Sequence, residues 1–89
     1  MEITPAEVKE FILQQIDDPL RAKDLLAADV PGSFDLLLEG VMDSFGIVEL
    51  ISALEERYRL EFDLDELAPD DLTRIGPLSS YVAQKMNGT

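Results

Sequence analysis

An all-α bundle of three main helices plus one or two short helices is the fold this sequence predicts. Apolar residues recur at steps of three and four in three separate windows, and each window opens near a capping signal. No window sustains the alternation of a strand, and no internal repeat or low-complexity tract interrupts the chain. The 89 residues form one domain, 1–89. A chain of that size buries only about 60–65% of its unfolded surface, so its core must be economical.

The first helix is expected over about 5–16. Thr4 can cap it, Pro5 suits its first position and Glu7 completes a capping box. Val8, Phe11, Ile12 and Ile16 then form one apolar stripe, which ends near Pro19 because that ring disfavours helical geometry in the residue before it. A long connection, 17–43, follows. A segment of that length inside a compact domain carries structure of its own, so a short helix from Leu20 to Ala28, capped by Asp18 with Pro19 at its first position, is expected. Pro31-Gly32-Ser33 breaks it, and Phe34, Leu36, Leu37 and Leu38 are apolar enough to fold back over the bundle.

The second main helix is expected from Ser44, its N-cap, to about residue 60, burying Ile47, Leu50, Ile51, Leu54 and Tyr58. Glu49, Ser52, Glu55, Glu56 and Arg59 fall mainly on the other side. Arg57 and Arg59 complement its negative pole. The segment 61–71 holds six acids in eleven positions, with a short helical turn expected around Asp65–Leu67 and Phe62, Leu64 and Leu67 as anchors. Thr73 is expected to cap the last helix, about 74–86, which carries Ile75, Leu78, Val82 and Met86 at helical spacing and Pro77 in its first turn. Asn87-Gly88-Thr89 should fray.

Composition narrows the function. Seven bases against nineteen acids give a net charge of −12, which repels nucleic acid and speeds encounter with basic surfaces. Cysteine and histidine are both absent, so there is neither a thiolate metal site nor the usual activated nucleophile or general base. An autonomous enzyme is therefore not expected. The N-terminus has no basic region followed by an apolar run, and no apolar stretch reaches membrane-spanning length, so a cytoplasmic protein without membrane contact is expected.

The densest signal is Gly40-Val41-Met42-Asp43-Ser44-Phe45-Gly46-Ile47-Val48-Glu49-Leu50, which sets an exposed hydroxyl where an apolar loop becomes an amphipathic helix. Asp43-Ser44-Phe45, then Val48-Glu49-Leu50 and Ala53-Leu54-Glu55-Glu56, resembles the second helix of acyl carrier proteins and related carrier domains. Tyr58, Phe62 and Thr73-Arg74-Ile75 continue the match, which covers roughly residues 39–83. The resemblance implies that Ser44 is esterified by 4′-phosphopantetheine taken from coenzyme A, through a separate phosphopantetheinyl transferase and magnesium. Asp43 would help position that transferase. It further implies a discrete, non-catalytic monomer that tethers acyl or aminoacyl thioesters, with a loading ligase and downstream synthase or transferase enzymes as partners. Phe45, Ile47, Val48, Glu49, Glu55 and Glu56 would then form the partner-binding surface.

Three departures from the family pattern point to a specialised carrier. Phe45 stands where leucine is usual, and Gly46 costs up to about 1 kcal/mol of helix propensity. The connection before Ser44 is also longer than in compact fatty-acid carriers. A calcium-binding module built on Asp63, Asp65, Glu66, Asp70 and Asp71 fits poorly, because a loop starting at Asp63 needs glycine where Ala68 stands. The alternative function is an unmodified acidic adaptor or inhibitor that docks on basic partners.

Overall fold

A computed structural model describes residues 2–88, apart from the side chain of Leu64. Its α-helices are α1 (Pro5–Gln15), α2 (Asp17–Ala22), α3 (Ser44–Tyr58) and α4 (Ile75–Met86), with 3₁₀ turns at Ala27–Asp29, Leu64–Glu66 and Pro69–Leu72. The three long helices converge on one core. Val8, Ile12, Leu36, Leu54, Ile75, Leu78 and Val82 are fully buried there, and α1 packs most extensively against α4. None of the described helices is long and apolar enough to cross a membrane.

Thr4 caps α1 as its sequence requires, its Oγ1 accepting from the Glu7 N–H at 3.2 Å. The next element begins earlier than expected. α2 starts at Asp17, directly after a turn at Ile16, and no side chain caps it. Pro19 is tolerated because it falls at the third helical position, where its missing N–H has no intrahelical partner. Helix does not continue to Ala28, because Asp24 turns left-handed (φ 58°) and the Leu25 N–H closes back on the Leu20 carbonyl at 2.9 Å.

The second half of the connection is pinned to the start of α4. A single antiparallel bridge joins Asp35 to Arg74, with the Leu36 N–H donating to the Thr73 carbonyl at 2.8 Å. The two opening N–H groups of α4 are also taken by this loop: Ile75 donates to the Phe34 carbonyl at 3.3 Å and Gly76 to the Gly32 carbonyl at 2.7 Å. Backbone carbonyls thus do the work expected of Thr73. That side chain is not the cap; its hydroxyl donates to the Asp35 carboxylate at 2.8 Å.

Asp35 also corrects the reading of the leucine run. Leu36 is buried and Phe34 half-buried, yet Leu37 and Leu38 are 43% and 81% exposed. The reason is local: Asp35 Oδ1 accepts from the N–H groups of both Leu37 and Leu38 at 3.0 Å, turning the backbone outward there.

α3 closes at Tyr58, two residues early, because Arg59 adopts a left-handed conformation (φ 53°) and the Leu60 N–H returns to the Glu55 carbonyl at 3.1 Å. The acidic segment is then tied down over its first half. Glu55 Oε2 accepts from the Phe62 N–H and the Tyr81 hydroxyl accepts from the Asp63 N–H, both at 2.9 Å, while Lys85 pairs with Glu66 at 2.8 Å. Asp63 caps its own turn by accepting from the Asp65 N–H at 3.0 Å. At the far end, Asn87 does not fray. Its amide accepts from the Ile3 N–H and donates to the Ile3 carbonyl, both at 3.0 Å, clamping the chain's two ends together. Thr89 lies outside the described residues.

Candidate functional site at the start of α3

The opening of α3 differs from expectation by one residue, and the difference matters. Asp43, in extended geometry, is the N-cap, and its Oδ1 accepts from the Gly46 N–H at 2.8 Å. Ser44 is the first helical residue instead. Its side chain is exposed, and its hydroxyl takes no hydrogen bond among the described residues. Aspartate and serine are nearly equal as caps, so their order alone does not decide which one serves. With Asp43 in that duty, the Ser44 hydroxyl is free for chemistry at the positive pole of a fifteen-residue helix.

This division of labour has a measurable consequence. Asp43→Ala should cost about 1 kcal/mol of stability, whereas Ser44→Ala should stay within about 0.5 kcal/mol of the parent. Paired denaturant titrations check it; equal losses would mean that both side chains share the cap.

Gly46 receives a packing explanation that the sequence could not supply. A Cβ there would stand 2.9 Å from Met42 Cβ, so the glycine lets Met42 lie against the first turn of α3. Met42, Gly46, Glu49 and Leu50 then line a groove of about 370 Å³ whose opposite wall includes Ile16 and Pro19.

The other candidate residues divide by exposure. Phe45 (69%) and Val48 (59%) stand out from the helix, and Glu49 and Glu56 are also exposed. Ile47 does not join them. It is buried at 7% within the core, three residues before Leu50 on the inward stripe, so it is a packing residue and not part of the partner surface. Glu55 is half-buried and uses one carboxylate oxygen on the Phe62 N–H. Sequence reasoning missed the Leu37–Leu38 turn beside this site; the aspartate at the head of the leucine run was the available signal, since aspartate commonly bonds backbone N–H groups two and three residues on.

A covalent phosphodiester fits Ser44 on this geometry. The oxygen is exposed and unbonded, and the charge it would carry meets the N-terminal end of α3. A small all-α bundle of this kind is consistent with the fold of a carrier protein. Over 83 residues the chain is 35% identical to a D-alanyl carrier protein of Streptococcus suis strain 98HAH33, and 34% identical to one of strain 05ZYH33. Each alignment spans 91% of this chain and 98% of the relative. No family model matches the chain, and no solved structure matches it. The chain belongs to the family of those relatives, the acyl-carrier type of phosphopantetheine-binding protein.

Proposed function

We propose that Ser44 carries 4′-phosphopantetheine and that the chain is a non-catalytic tether for an aminoacyl group, D-alanine being the cargo its relatives' names suggest. The observation that carries this reading is the free, exposed Ser44 hydroxyl beside a cap supplied by Asp43. When bound, the group supplies the thiol that this cysteine-free chain lacks, on which an aminoacyl cargo is held as a thioester. Ser44 contributes the oxygen that bonds to phosphorus; its proton leaves, and adenosine 3′,5′-bisphosphate departs from coenzyme A. Asp43 holds the helix start in place and offers its outer oxygen to the transferase or its magnesium.

Partner enzymes read the exposed face. Phe45 and Val48 supply apolar contact, while Glu49 and Glu56 meet lysines and arginines and set the rate and orientation of approach. Glu55 contributes its second oxygen at most. A phosphopantetheinyl transferase, a loading ligase and a downstream transferase are the partners this reading requires, all within the cytoplasm.

The test is stepwise. Protein made with a broad-specificity phosphopantetheinyl transferase and coenzyme A is incubated with ATP, D-alanine and a purified D-alanine–carrier ligase. Two successive mass increments are expected, the second removed by hydroxylamine. A parent chain that gains no first increment would instead favour an unmodified acidic adaptor, and a modified chain that is never charged would reject D-alanine as cargo.

A further inference from the structure

The turn that precedes α3 presents two leucines to water and is built to keep them there. Its base is closed by the Val41 N–H on the Leu36 carbonyl at 3.0 Å, and both of those residues are buried. Its apex is held by Asp35, a carboxylate only 8% exposed, whose Oδ1 takes the N–H groups of Leu37 and Leu38 while Oδ2 takes the Thr73 hydroxyl. Gly40, at φ 73°, completes the reversal, with its N–H on the Leu37 carbonyl at 3.1 Å. An acid has been buried to rigidify a turn that leaves Leu37 and Leu38 exposed. Leu38 is the most exposed large apolar residue described, at 81%. Holding apolar groups rigidly in solvent is a feature of contact surfaces.

The foot of the turn is three residues from Ser44, a span of at most about 11 Å of chain. A standard interface covers about 800 Å² per partner, a disc of radius about 16 Å, so a footprint centred on Ser44 reaches past that foot. Exposed Glu39 and Asp43 lie between the turn and Ser44 in sequence, and Lys23 lies against Gly40. The partner that fits is apolar at its centre and basic at its rim.

We propose that the Leu37–Leu38 turn is a docking knob for the phosphopantetheinyl transferase that modifies Ser44, seated in an apolar pocket of that enzyme edged by lysine or arginine. The inference rests on the reading of Ser44 as the attachment site. Among the partners, the transferase is singled out by geometry. It must bring its reagent to the Ser44 oxygen itself, whereas enzymes acting on cargo meet the end of a long arm and need not cover this turn.

The experiment measures Ser44 modification of the apo chain by intact mass, using coenzyme A and a purified transferase selective for free-standing carriers. Leu38→Ser and the double variant Leu37→Ser/Leu38→Ser are compared with the parent, each checked for an unchanged Tm. The double variant is expected to raise KM at least tenfold with kcat within twofold, and the single variant to give an intermediate rise. KM within twofold of the parent in both variants would overturn the docking role, as would a parent that only a broad-specificity transferase modifies. A parent that neither enzyme modifies would instead overturn the attachment reading itself.

Discussion

Asp35→Ala is expected to destabilise the fold by about 2–4 kcal/mol, because three donors lose one buried acceptor at a stroke. For a domain of this size that corresponds to a fall in Tm of roughly 10–30 °C. The carboxylate links three parts of the chain: its own turn, the Thr73 hydroxyl at 2.8 Å and, through the adjoining bridge, Arg74 at the entrance to α4. Burial alone would raise its pKa. The hydrogen bonds from Leu38, Thr73 and Leu37, together with the Arg74 charge, outweigh burial and hold it below the ordinary value of 3.8. A carboxylate depressed in the folded state contributes stability above its unfolded pKa and loses it as pH falls through the folded pKa. Thermal melts of the parent and Asp35→Asn should therefore differ most near neutral pH and converge only as the pH falls below the ordinary carboxylate value of 3.8. A difference that stayed constant down to pH 2 would show that the charge of Asp35 is irrelevant to its role.

Gly76→Ala should be the second large effect, at about 1–3 kcal/mol, although alanine is the better helix former. A Cβ at Gly76 would stand 2.9 Å from the Gly32 carbonyl oxygen and 3.2 Å from its carbon, and backbone atoms cannot rotate away. Relief requires parting the loop from α4, which breaks the 2.7 Å bond that caps the helix. Gly32→Ala is the matched control. Its added Cβ would meet Gly76 no closer than 3.5 Å, an ordinary contact, and the variant should lie within about 0.5 kcal/mol of the parent. Equal losses in chemical denaturation would mean that the close approach is not what makes Gly76 necessary.

Both effects arise where the sequence is hardest to read. The helices were legible because their signals are local: Thr4 and Pro5 mark the start of α1, and Ile47, Leu50, Leu54 and Tyr58 trace the inward stripe of α3. Asp35 and Thr73 are 38 positions apart, and Ile3 and Asn87 are 84 apart, so no window shows that they meet. Thr73 accordingly reads as a helix cap and Asn87 as a fraying end, although each is committed to a distant partner. The leucine run fails for another reason. Hydrophobicity says that Leu36, Leu37 and Leu38 should be buried, but a turn fixed by Asp35 can bury only the first.

At the candidate site the pattern placed the start of α3 within one residue and misassigned the cap. Asp43 and Ser44 are interchangeable as caps by composition, and only the hydrogen bond to Gly46 separates them. Ile47 belongs to the partner surface only by the family resemblance, while its helical spacing with Leu50 and Leu54 puts it on the inward stripe, about 200° around the helix from Phe45, where it is buried. The outward face is thus narrower than its sequence suggests: Phe45 and Val48 with Glu49 and Glu56, beside the leucine turn.

The central claim is that Ser44 is held exposed and unbonded so that it can carry a covalent arm. Fragment-mass mapping of protein made with a phosphopantetheinyl transferase and coenzyme A tests it most directly, because the chain contains four other serines, Ser33, Ser52, Ser79 and Ser80. The account predicts one phosphopantetheine per chain, located on Ser44 and absent from a fully folded Ser44→Ala variant. An arm on any other residue, or none on the folded parent chain, would contradict it.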